Sequence, residues 1–167
     1  SLRRQTLCKT LKGRDAEWLT LGRLRGRARY RVLLTARHHC CEMMANYVLE
    51  GAMESVVSPN ALGSWYRDNV LMDVVPFVDK DGVEQGDQGK NRRPRDHGRD
   101  YADTSIYPET AEIRRRWLDD DAQRPHVIFD LHCPYIAGNH NEHAYFVGNK
   151  CNWTELEVFS PILERTC

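Results

Sequence analysis

No run in the chain approaches the roughly 20 consecutive apolar residues that a membrane-spanning helix needs. Net charge is missing as well. The 24 basic and 24 acidic side chains cancel, so no global field exists to gather nucleic acid or an anionic membrane surface, and neither is expected as a partner. Six cysteines are present, two of them the adjacent Cys40 and Cys41, but none has the CxxC spacing of a structural zinc site. A chain of 167 residues needs no disulfide frame, so the thiols read as reduced. Repeats and low-complexity tracts are lacking. The opening SLRRQTLCKTLKGR has no apolar stretch suited to a secretory signal, which makes a cytoplasmic location the default expectation. Nothing in the pattern speaks to oligomeric state.

What is there suits one soluble domain with a real core, since 41% of the residues are hydrophobic. Short β-type runs fall at 17–21, 30–36, 70–78, 126–132 and 144–147, several of them apolar on both faces, as buried strands are. Helix-type stretches lie between them. The 42–56 stretch repeats Met44, Val48 and Ala52 at four-residue spacing, and 108–119 opens with proline and places Glu112 four residues before Arg116. The alternation predicts an α/β fold, a mixed and largely parallel twisted sheet with helices on both faces. Residues 79–108 break the pattern. They are charged, glycine-rich and almost free of apolar side chains, so a long loop with little share in the core is expected. Arg92, Arg93, Arg95 and Arg99 crowd there. A guanidinium fork suits a carboxylate, and the alternative is an ordinary solvated basic loop.

The sharpest local feature is the string at 33–42, LLTARHHCCE, an apolar strand running into a helix start. His39 and Glu42 are three apart, and on an opening helical turn that spacing puts both on one side, able to share an ion. Alone this is a weak signal, and a helix-start ion pair without metal would produce the same string. The second feature is the apolar strand VIFDL, which delivers His132 at its carboxyl end. Ligands in open α/β sheets gather beyond the carboxyl ends of strands, so His39 and His132 can converge. Two histidines and a carboxylate make the usual three protein ligands of a catalytic zinc, with the fourth position left to water. A closed structural site using Cys40, Cys41 or Cys133 is the competing arrangement, although a neighbour of a ligand in a strand points the other way. Asp130 reads as a hydrogen-bonding strand residue.

At this point the residues carry a resemblance. ARHHCCE resembles the Ala-Arg-x-His-Pro-Gly-Glu start of the zinc metallocarboxypeptidases, the carboxypeptidase A-like family and its cytosolic branch, and DLH at 130–132 resembles the strand that supplies their second histidine. DGVEQGDQGKNR resembles the family's Asp-Gly-Val loop, DHGRDY at 96–101 its Asp-x-Asn-Arg-x-aromatic motif, and the first 22 residues its opening strand with Ser-x-x-Gly-Arg. The resemblance implies one zinc ion per chain held by His39, Glu42 and His132. It implies that Arg92, or its neighbour Arg93, polarises the scissile carbonyl and that Arg99 grips the terminal carboxylate of a peptide or protein substrate. A metallocarboxypeptidase activity follows, on a single, incomplete catalytic domain over 1–167. Two positions depart from the pattern: Cys40-Cys41 replaces Pro-Gly, and Gly98 replaces the asparagine before the gripping arginine. No general base is assigned, because Glu142, Glu155, Glu157 and Glu164 match no family strand. Two other readings share the metal pattern: a zinc amidohydrolase that deacylates N-acyl amino acids, and a non-catalytic zinc-binding fragment.

Overall fold

The computed structural model describes residues 2–102, 104–134, 137–148 and 150–166. They form two compact units, Ser1–Cys133 and Pro134–Cys167. The first contains β1 (Leu2–Lys9), β2 (Asp15–Gly22), β3 (Tyr30–Ala36), α1 (Met44–Val57), α2 (Ala61–Asn69), β4 (Val70–Val75), α3 (Lys80–Gln85), α4 (Pro108–Ile113) and β5 (Val127–Leu131). The second holds α5 (Trp153–Thr166).

One mixed sheet runs in the order β1-β2-β4-β3-β5. β1 and β2 pair antiparallel, as do β2 and β4, while β3 runs parallel to both β4 and β5. Consecutive strand residues face opposite sides, and Leu33 and Leu34 show the consequence. Leu34 joins Ala36, Met72 and Val74 against Ala45, Leu49 and Val56 of α1. Leu33 joins Val75 against Leu7, Ala16, Ile113 and Trp117 on the other face. Both faces are therefore covered, which is why β3 and β4 are apolar without alternation.

The parallel part of the sheet positions the site. Ala36 pairs with Leu131 in the register of β3 and β5, so the chain leaves both strands side by side at their carboxyl ends. Arg37 follows β3 with a positive φ of 64°, a left-handed turn that a non-glycine residue adopts only when its surroundings hold it there. Its guanidinium does so: Nε donates to the Cys40 carbonyl at 2.7 Å and Nη1 to Asn46 Oδ1 at 3.0 Å.

Three expectations need correction. The run 144–147 forms no strand; the described residues of the second unit contain none, so four apolar residues there have no ladder to join. The helix expected from residue 42 begins at Met44, and His39 and Glu42 sit on the turn before it, closed by the Glu42 N–H to the His39 carbonyl at 3.0 Å. The stretch 79–108 is no plain loop. It holds α3 and a 3-10 turn at His97–Arg99, and it buries Asp79, Asp96, His97 and Asp100. Its core is polar: Asp100 accepts from the backbone N–H groups of Ile106 and Tyr107, from the Thr110 hydroxyl at 2.5 Å and from Arg95 Nε at 2.5 Å. Buried carboxylates survive only when satisfied in this way, and an apolar-period reading cannot register such a core.

Candidate metal centre

Glu42 is the centre of the site, 4% exposed and on the turn between β3 and α1. Its Oε1 lies 3.2 Å from His39 Nδ1 and its Oε2 lies 2.7 Å from His132 Nδ1. One donor atom from each of the three residues falls within 4.8 Å of the others, a spacing able to hold an ion. The two imidazole rings are 4.9 Å apart between centroids.

The two histidines face Glu42 with the same nitrogen but differ in how closely they are backed. Each turns Nδ1 toward Glu42 and Nε2 toward a second carboxylate. His132 Nε2 is 2.7 Å from Asp130 Oδ2, and His39 Nε2 is 3.9 Å from Asp96 Oδ2. A carboxylate behind an imidazole favours the tautomer with the proton on the far nitrogen, which frees the near lone pair for a cation. Asp130 and His132 share one side of β5 by simple alternation, two residues apart. Asp130 also accepts from Thr35 Oγ1 at 3.0 Å and lies 2.7 Å from Nδ1 of the buried His38, whose Nε2 meets the Tyr101 hydroxyl at 2.6 Å. A second cluster, His38, Asp130 and His132, therefore adjoins the first.

The electrostatics match a cation site. Burial alone would raise the Glu42 carboxyl, but hydrogen bonds from His132 and Lys90 outweigh it and hold the pKa at about 2. His132 is pushed up to about 10 by its hydrogen bonds to Asp130 and Glu42, so without metal both its nitrogens carry protons and a cation must displace the one on Nδ1. Desolvation pulls the Asp130 carboxyl upward, but His38 and His132 outweigh it and hold it well below the usual carboxylate range. Lys90 Nζ stands 2.5 Å from Glu42 Oε1, so a positive charge already rests against the carboxylate. Two imidazoles and a buried carboxylate are a borderline-soft donor set of the kind zinc takes, with three protein ligands. The residues present fit the ion.

Of the arginines singled out in the sequence, Arg92 is the most constrained. Its Nη1 is 2.7 Å from Asp79 Oδ2, which is fully buried, and its Nη2 is 2.6 Å from Asp87 Oδ2. Gly82 and Gly89 leave the space for this cluster, since a Cβ on Gly82 would stand 2.5 Å from Arg92 Nη2 and one on Gly89 would stand 2.7 Å from the Cys40 nitrogen. Arg99 is exposed and rests on Asp96 Oδ2 at 3.0 Å, the same oxygen that His39 faces. Arg93 is exposed and makes no ion pair among the described residues. His39, Glu42 and His132 are thus brought together with Arg99 one carboxylate away, while Arg92 stands behind Cys40.

The cysteines do not close the site. Cys40 is buried and turned toward Arg92 and the Asp87 carbonyl, and burial raises its thiol to about 12. Neither cluster of donors within ion-holding distance, among the described residues, includes a cysteine. Cys8, Cys40, Cys41 and Cys133 are free thiols. His38 and Tyr101 were missed in the sequence. The strict alternation Asp130-Leu131-His132 was the available signal for Asp130, whereas nothing local marks His38 as its partner across strands.

No family model matches the chain. Among curated proteins it is 25% identical over 180 residues to cytosolic carboxypeptidase 3 of Bos taurus, a match spanning 98% of this chain and 17% of that protein. To cytosolic carboxypeptidase 4 of Mus musculus it is 24% identical over 144 residues, spanning 78% and 13%. In fold it is similar to a metallo-carboxypeptidase from Burkholderia cenocepacia, with a TM-score of 0.64 and 25% identity over 79% of this chain and 36% of that one. The chain spans less than a fifth of the length of these curated relatives. No helix among the described residues is long and apolar enough to cross a membrane. In sequence the chain is a relative of the cytosolic carboxypeptidases, in fold of the metallo-carboxypeptidases, and it corresponds to a part of them.

Proposed function

We propose that residues 1–167 form part of a carboxypeptidase-like catalytic domain of a cytoplasmic protein, binding one zinc ion through His39, Glu42 and His132, and that the protein removes C-terminal residues from peptides or proteins. The observation that carries this reading is the convergence on Glu42: both histidines turn Nδ1 to its carboxylate, and Asp130 backs Nε2 of His132.

Zinc, when bound, supplies a Lewis acid for the scissile carbonyl and brings a water toward neutrality in pKa. The chain's own residues do the rest. Asp130 fixes the His132 ring from β5, and Asp96 holds the Arg99 guanidinium beside the site. A substrate carboxylate would take Arg99 from Asp96 by offering a bidentate partner. Arg92 keeps its charge under all conditions, because Asp79 and Asp87 overcome the effect of burial and raise its pKa further. Both of its terminal nitrogens are held by those carboxylates, so polarising the scissile carbonyl would require Arg92 to leave the exposed Asp87.

The test is elemental analysis for zinc on the chain and on His132→Ala, together with hydrolysis by the full-length protein of one peptide with a free and with an amidated C-terminus. One zinc per chain, lost in the variant, with cleavage of the free terminus alone, is the expected result. An absence of zinc in both proteins would end the proposal.

A further inference from the structure

At the opposite end of the sheet, near the amino ends of β3 and β4, arginines gather. Residues 18–36 contain Arg23, Arg25, Arg27, Arg29 and Arg31 and no Asp or Glu, in a chain whose total charge is zero. A pocket of about 530 Å3 opens there, lined by Arg3, Gly22, Arg23, Leu24, Arg25 and Arg67. Its four arginines come from three places in the fold: β1, the loop after β2, and α2. No acidic side chain lines it among the described residues.

Two of these guanidiniums are fixed without being neutralised by a carboxylate. Arg67 Nη1 donates to the carbonyls of Val56 at 2.9 Å and Ser58 at 2.6 Å, and Arg23 Nη1 donates to the Asp68 carbonyl at 2.8 Å. Carbonyls orient a guanidinium but carry only partial charge. Arg23 Nε is out of solvent with no hydrogen-bond partner, and an unsatisfied donor of this kind calls for an explanation. Arg3 and Arg25 make no ion pair or hydrogen bond among the described residues and stand at the rim. Several arginines elsewhere are paired with acids, as Arg115 is with Glu112 and Arg124 with Asp121. Here they are not.

We infer that this pocket binds a phosphate-bearing anion. A planar carboxylate is satisfied by one guanidinium fork. Converging forks from several directions match the tetrahedral oxygens of phosphate, which arginine binds bidentately. The volume exceeds that of a single ion and fits a diphosphate or an organic phosphate. The pocket lies a strand's length, about 20 Å, from the candidate metal centre, so it is a separate site and stands whether or not that centre binds zinc.

Calorimetric titration of the chain with inorganic phosphate and with pyrophosphate tests the inference. Saturable binding of one anion per chain is expected, weakening with added salt. Arg3→Gln/Arg25→Gln, which removes no structural contact, should weaken it by about ten-fold or more. Arg115→Gln/Arg124→Gln, with the same change in charge, should leave it intact, as should His39→Ala/His132→Ala. Loss in the histidine variant would place the anion at the metal centre, equal loss in the control arginine variant would reduce the effect to net charge, and binding of a glutamate-rich peptide in place of pyrophosphate would make the pocket a protein-docking site. Any of these results, or no saturable binding, overturns the inference.

Discussion

Glu42 Oε2 and His132 Nδ1 stand 2.7 Å apart although 90 positions separate them, and the parallel register of β3 with β5 is the cause. The carboxylate that keeps this contact in place is Asp130, which meets His132 on one oxygen and His38 and Thr35 on the other. Asp130→Asn preserves the shape but can no longer hold both imidazoles as a charged acceptor. Zinc affinity is expected to fall by about 10- to 100-fold, the usual cost of losing an outer carboxylate. Competition against a chelator of known affinity measures it; an unchanged affinity would show that Asp130 is a fold residue only.

Lys90 occupies the place beside Glu42 that the proposed zinc would need. Its ammonium lies against Glu42, and the hydrogen bond to Glu42 raises its own pKa despite partial burial. An arriving cation must displace it, giving up a charge-assisted hydrogen bond. Lys90→Met is therefore expected to bind zinc more tightly, by about ten-fold, and to make the metal-free chain less stable because Glu42 is left buried without its cation. The same chelator competition reads the first effect and thermal unfolding in EDTA the second.

Arg92 and Arg99 sit seven residues apart and should behave differently in denaturant. Arg92 neutralises the fully buried Asp79, so Arg92→Ala strands a charge in the interior and is expected to cost about 3–5 kcal/mol. Arg99 is an exposed partner, and Arg99→Ala should change stability by less than about 1 kcal/mol. Urea unfolding of both variants checks this.

That contrast bears on what the sequence could convey. Strands β3 and β4 were legible because two-sided burial writes itself as apolar runs, β2 and the edge strand β5 because aromatic and aliphatic residues cluster in them, and the convergence of His39 with His132 followed from where β3 and β5 end. The helix α3 was not legible: it has six residues, two of them Asp81 and Gly82, and its start depends on Asp79 accepting the Gly82 N–H at 2.9 Å. The burial of Asp79, Asp96, His97 and Asp100 was equally hidden, since polar residues enter a core only through partners that the fold must first bring near. The π-type turn at Arg114–Leu118 ends α4 early. It keeps Trp117 buried, where its Nε1 donates to Asp73 at 3.2 Å, a contact no helical period would announce.

Glu109 gives a pH signature. It is 2% exposed, its Oε2 has no hydrogen-bond partner, and burial, reinforced by Asp81, Asp79 and Asp100, lifts its carboxyl from 4.5 to about 7. Between those values the folded chain holds a proton that the unfolded chain has lost, so this residue's contribution is complete below pH 4.5 and declines as pH rises through about 7. Glu109→Gln carries no such proton. Relative to the parent chain it should gain roughly 3 kcal/mol between pH 4.5 and pH 8, measured by urea unfolding at several pH values. A constant difference between the two proteins would mean that Glu109 is ionised in the fold.

Gly98 stands where the resembling motif has asparagine, and the structure has room for one. A Cβ there would lie 3.6 Å from both Asp96 Oδ1 and His39 Nε2, ordinary contact distances, and the backbone is not in the left-handed region. Gly98→Asn should therefore fold with stability within about 1 kcal/mol of the parent, helped by the lower entropy of a non-glycine residue in the unfolded chain. Its side-chain amide would stand next to Arg99 and add a second donor for a terminal carboxylate. In the full-length protein the expected outcome is a lower KM for peptides with a free C-terminus and no change for amidated ones, since an amide gains little from the extra donor. Equal effects on both substrates would mean that residue 98 does not face the substrate's end, and would remove Arg99 from its proposed role along with it.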